Sequence, residues 1–168
     1  MSLARSVANN VKVADETFLA TALLHRENPS RVDFTITEIV ERAERENLFG
    51  ELRPGVRIHA TLHCVANREP NPGNYRMLYA TGKGTRRLLL DGDDIHPERA
   101  GKIFPDPEAV PLQYHELIAW AQQRYHKARP PGRSRWLGSV LDLAGAGKHL
   151  WKGEDPDDYV RKQREGWE

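Results

Sequence analysis

Thr35-Ile-Thr-Glu38 constrains this chain more than any other run, because it fixes where a helix must begin. Threonine as cap with glutamate three residues later is a capping box, and Phe34 against Ile39 supplies the matching hydrophobic staple. Ile36, Ile39, Val40 and Ala43 then keep helical spacing through Asn47. Phe49-Gly-Glu-Leu-Arg-Pro-Gly55 punctuates a turn, and a second helix is predicted over 54–66 with Ile58, Leu62 and Val65 facing inward. Arg68-Glu-Pro-Asn-Pro-Gly-Asn74 is a loop by composition. Tyr75–Ala80 and Thr85–Leu90 are short strand-like runs, and glycine on both sides of Lys83 allows a tight reversal with the lysine at its tip. Upstream, Asp15 can cap a helix to Glu27 with Phe18, Leu19, Ala22 and Leu23 on one face.

Strand, helix, turn, helix and hairpin in that order predict an α+β chain with the outline of a winged helix-turn-helix, three helices plus a β-hairpin wing, followed by additional C-terminal helices. The region resembles winged-helix domains of uncharacterised bacterial proteins, some associated with restriction or defence loci. The matching residues are Phe34-Thr-Ile-Thr-Glu-Ile-Val40, Pro54-Gly-Val-Arg-Ile-His59, Cys64-Val-Ala-Asn67 and the Gly82-Lys-Gly84 turn. That resemblance implies contact with double-stranded DNA. The expected division is a winged helix over 13–91, an acidic Pro-rich connector over 92–111, an amphipathic helix over 112–128 and a tail over 134–168.

Charge agrees with the placement. The whole chain carries a formal +1, but residues 49–90 hold seven basic side chains against Glu51 and Glu69, a local +5, while residues 1–48 come to −2 from six basic and eight acidic groups. A local excess of this kind is the footprint of phosphate neutralisation, although a solvated charged surface reads the same way. Arg53, Arg57, His59, Thr61 and His63 are expected on or at the start of the groove-facing helix, with Arg57 the best guanine contact. Arg76, Lys83, Arg86 and Arg87 are expected to grip phosphate from the wing. Strand alternation forbids Arg86 and Arg87 from facing the same way.

Asp91 to Pro111 holds six acids against Arg99 and Lys102, with four prolines, and is expected to lie over the core through Ile103, Phe104 and Val110. Leu112 to Lys127 reads as a helix whose Tyr114, Leu117, Ile118, Ala121 and Tyr125 share a face. A single cysteine, Cys64, excludes an intrachain disulfide and fits a reducing cytoplasm. No membrane partner is expected, since no run approaches the ~20 apolar residues of a span and Met1-Ser-Leu-Ala-Arg lacks the apolar stretch of a secretory signal.

The tail is rich in large anchors: Leu141, Leu150, Trp151, Tyr159, Val160 and Trp167. Either they pack on their own domain or they bind a partner. Leu141-x-Leu143-x-Gly-x-Gly-Lys-x-Leu-Trp151, with Asp158-Tyr-Val-Arg161 and Arg164-Glu-Gly-Trp167, is similar to the C-terminal end of bacterial type II antitoxins, which implies a toxin protein as partner; self-association is the alternative. Gly145-Ala-Gly-Lys148 lacks the first glycine and the closing Ser or Thr of a phosphate loop. His59 and His63 stand four apart beside Cys64 but lack a completing pair of zinc ligands. No catalytic constellation, metal site or cofactor is expected. Two functions remain open from the sequence: a DNA-binding regulator with a partner-binding tail, and an interaction module that does not touch DNA.

Overall fold

Helix α1, Val13–Glu27, runs through the middle of the described residues, and its neighbours cover it on nearly every side. The structure is a computed structural model, and it describes residues 11–128. The linker 129–133, the segment 134–168 and its anchors Leu141, Leu150, Trp151, Tyr159, Val160 and Trp167 lie outside the described residues. After α1 come strand β1 (Phe34–Thr35), helix α2 (Ile36–Glu46), helix α3 (Gly55–Ile58), strands β2 (Leu78–Ala80) and β3 (Thr85–Leu88), and helix α4 (His115–Lys127). The architecture is α+β, and the strands form an antiparallel sheet in the order β1-β3-β2.

The capping box at α2 forms as its sequence dictates. Glu38 N–H donates to Thr35 Oγ1 at 3.2 Å, and Thr35 N–H donates back to Glu38 Oε2 at 2.8 Å. Asn47 closes the helix in the left-handed conformation, φ 51°, a geometry asparagine tolerates better than most residues. Phe34, Ile39, Val40 and Ala43 enter the core beside Phe18, Leu19, Ala22 and Leu78. Burial of this apolar surface, at roughly 25 cal/mol per Å², is what holds α1 and α2 together.

Several local expectations give way to packing. Asp15 does not cap α1: Lys12 precedes the helix, and Asp15 is fully buried within it, paired with Lys102 at 2.9 Å. The second helix is shorter than 54–66. Four α-helical residues run into a wider turn over His59–His63, where Cys64 N–H reaches back five residues to the His59 carbonyl at 3.0 Å. Ile58 is not inward but 50% exposed. Val65 leaves the helix to form an isolated parallel bridge with Leu78, and Ala66 N–H donates to the Leu78 carbonyl at 2.7 Å.

The acidic segment 92–111 belongs to the same compact unit as the helices and strands rather than linking units. Phe104 meets both Phe18 and Tyr125 edge-on, and Val110 is buried. Leu117, Ile118 and Ala121 of α4 close the core from the other side, and Tyr114, just before the helix, donates its hydroxyl to Glu46 at the end of α2.

Candidate nucleic-acid interface

The wider turn that continues α3 is held by two buried arginines whose donors fall on four successive carbonyls. Arg86 donates from Nε to the Ala60 carbonyl at 2.9 Å and from Nη2 to that of Thr61 at 3.3 Å. Arg99 donates from Nη2 to Leu62 at 2.8 Å and from Nη1 to His63 at 2.7 Å. The last carbonyls of a helix lack intrahelical donors, and cations there also complement the helix dipole. A guanidinium suits this role because its donors form a rigid fork.

Each arginine also reaches elsewhere. Arg86 Nη1 bonds the Gly82 carbonyl at 3.1 Å and its own neighbour Thr85 at 2.7 Å, so one guanidinium lies between α3 and the hairpin turn. Arg99 extends to the carbonyls of Arg68 (2.7 Å), Tyr75 (2.9 Å) and Glu69 (3.1 Å), gathering the whole loop that follows α3. No carboxylate neutralises either guanidinium among the described residues. Burial accordingly depresses Arg86 to about 10 and lowers Arg99 as well; in Arg86 the nearby charge of Arg68 adds to the effect.

These contacts revise the expected set of DNA-facing groups. Arg86 is 0% exposed and spends its donors on backbone, so it cannot grip phosphate. In β3 it alternates with Arg87, and the register that sets Phe34 opposite Arg86 turns its side chain inward. Arg87 faces the other way, stacked 4.4 Å over the Tyr79 ring and paired with both oxygens of Asp93 at 2.6 and 2.7 Å. Arg53 pairs with Glu16 at 2.6 Å, donates to the Val11 carbonyl and lies over the Phe49 ring. Burial pushes the Glu16 carboxyl up, and Arg53 opposes that shift. Arg76 Nε donates to the Gly101 carbonyl at 2.7 Å. Arg53, Arg86 and Arg87 are therefore committed inside the fold, while Arg76 is half-buried with its Nε engaged.

His59 and His63 pack edge to face, ring centroids 4.7 Å apart, and both are half-buried. His59 Nδ1 sits 2.9 Å from the Gly55 carbonyl, and burial pushes its pKa below the ordinary imidazole range, so it contributes no charge at pH 7. The described residues contain no group of three His, Cys, Asp or Glu side chains placed to hold a metal. Cys64 is fully buried and burial pushes its thiol up, which removes it as a nucleophile.

Arg57 and Lys83 remain exposed and unpaired among the described residues, and Arg68, half-buried, joins them. All three attach to one seam. Thr61 Oγ1 donates to the Arg57 carbonyl at 2.7 Å, and the Thr61 carbonyl shares Arg86 with the Gly82 carbonyl, next to Lys83. Asn67, preceding Arg68, makes paired bonds with Ala80 at the end of β2 (3.0 and 2.9 Å). One carboxylate accompanies the turn: Asp33 accepts from the Thr81 hydroxyl. Arg68 counts toward the basic excess of residues 49–90 but was not expected as a DNA contact, since it stands in a Pro- and Asn-rich loop; Arg99, among acids, gave no sign of its role. Comparison of the chain with protein-family models, with curated proteins and with solved structures found no match.

Proposed function

We propose that this chain is a DNA-binding winged-helix protein that acts as a regulator, docking duplex DNA against α3 and the β2–β3 turn. The observation that carries the reading is the Arg86 clamp, which joins the end of α3 to the hairpin turn and leaves Arg57, Arg68 and Lys83 unneutralised around the seam. The order α1-β1-α2-α3-β2-β3, with β3 central in the sheet, supports it, since this is the winged-helix arrangement of a short first strand and a terminal hairpin. Arg57 on the exposed side of α3 is suited to a guanine edge; Lys83 at the tip and Arg68 beside it are suited to phosphate.

Three free cations define a quantitative expectation. Each neutralised phosphate contributes about −0.9 to the slope of log affinity against log salt, so one copy of the chain should give a slope near −3 on random duplex. Fluorescence anisotropy on a labelled random duplex, between low and physiological salt, measures it. Lys83→Ala should weaken binding to all sequences alike and reduce the slope by about one. A full-length chain that leaves the duplex unbound at low salt sinks the reading. That result would favour the interaction module, which draws on the pairing of Arg53 and Arg87 with carboxylates and on the withdrawal of Arg86 onto backbone carbonyls.

A further inference from the structure

Ile58 breaks the pattern of its helix. It is one of three large apolar side chains well exposed among the described residues, and of these it alone lies on α3, directly after Arg57. Thr61 stands three residues on, half-buried in the wider turn over His59–His63. The Thr61 hydroxyl donates its proton to the Arg57 carbonyl at 2.7 Å. What Thr61 offers outward is therefore its methyl group and a lone pair, not a donor.

We infer that Ile58 and Thr61 form an apolar reading strip that contacts the 5-methyl group of pyrimidines in the major groove, with Arg57 taking a purine edge beside it. The inference rests on the DNA-binding reading and deepens it by naming the recognised chemistry. A buried Ile58 would have contributed to the core, as Val56 does on the same helix and Ala60 in the turn after it; exposed, it contributes only when something apolar covers it. The major groove offers one apolar group, the methyl at pyrimidine C5, and apolar side chains on a recognition helix contact it. Thymine carries this methyl, and so does 5-methylcytosine; the chemistry is shared, and the test separates the two sources.

The full-length chain is used to enrich binders from a randomised duplex pool, and the enriched duplex is remade with each thymine in turn replaced by uracil. A parallel series places 5-methylcytosine at each cytosine. Loss of one covered methyl should weaken binding about fourfold, at one or two neighbouring positions only; thymine is the source if uracil produces that loss, and methylated cytosine is the source if its methyl produces the corresponding gain. Ile58→Ala, a surface change that spares the core, should abolish the methyl effect at its position, so that it binds the methylated and demethylated duplexes alike. Arg57→Ala should weaken binding without erasing that methyl effect. Binding with no position sensitive to the methyl, or discrimination that persists in Ile58→Ala, overturns the strip and leaves the DNA reading standing. Absence of binding to any duplex overturns both.

Discussion

Replacing Arg99 by methionine tests whether a buried guanidinium, rather than apolar packing, organises the loop after α3. Arg99 is 4% exposed and donates to the carbonyls of Leu62, His63, Arg68, Glu69 and Tyr75. Not all of these would be orphaned. Leu62 also receives Val65 N–H, and His63 receives Tyr75 N–H. Glu69 is exposed and can turn its carbonyl to water. The carbonyls of Arg68 and Tyr75 have no second donor among the described residues. An unsatisfied buried polar group costs about 1–3 kcal/mol, so two of them cost about 4 kcal/mol in Arg99→Met. Methionine fills much of the volume, which keeps cavity formation from dominating the change.

In urea, with a slope of about 2 kcal/mol per M, that loss should move the midpoint down by about 2 M. Far-UV circular dichroism of the full chain follows it. Arg99→Lys separates charge from geometry, because an ammonium keeps the cation but cannot span carbonyls drawn from residues 62 to 75. It should lose about 2 kcal/mol or more. Were Arg99→Met to unfold within about 0.5 kcal/mol of the unaltered chain, surface-like behaviour would follow. Orphaned carbonyls would then not be what the Arg99 guanidinium prevents.

Two further perturbations follow from the core. His25 is fully buried against Phe34, accepts Leu88 N–H at Nε2, and is pushed down to about 4 by burial, with Arg124 and Arg87 adding to the shift. Its folded pKa lies below the unfolded value of 6.5, so the folded state binds fewer protons on acidification. Stability should be complete above 6.5 and fall by about 3 kcal/mol as the pH drops toward 4. His25→Gln keeps an acceptor without titrating, so a flatter curve of urea midpoint against pH is expected; an unchanged acid slope contradicts the assignment. A Cβ on Gly101 would stand 2.7 Å from the Asn74 carbonyl carbon and 2.9 Å from Tyr75 Cα, both rigid backbone. Gly101→Ala should cost about 1–3 kcal/mol, whereas Gly84→Ala, with nothing within 4 Å, should leave the midpoint nearly unchanged; equal effects of the two would contradict the steric account.

Residues 34–47 announced their own structure, because a capping box, a staple and a helical apolar period act between residues close in the chain. Lys83 between two glycines likewise marked the hairpin reversal, and strand alternation foretold that Arg86 and Arg87 would diverge. The fate of each charge was a different matter. The local +5 of residues 49–90 is partly neutralised by carboxylates from outside that window, Glu16 on Arg53 and Asp93 on Arg87, and Arg86 is withdrawn onto carbonyls of α3 and the turn. Arg99, numbered among acids, became the organiser of a loop about thirty residues upstream of it, as in its bond to Arg68. Local sequence decides where helices and turns begin, since those energies close over a few residues. Whether a cation faces solvent or lies under the sheet depends on donors and acceptors brought together from distant parts of the chain, and only the tertiary structure supplies them.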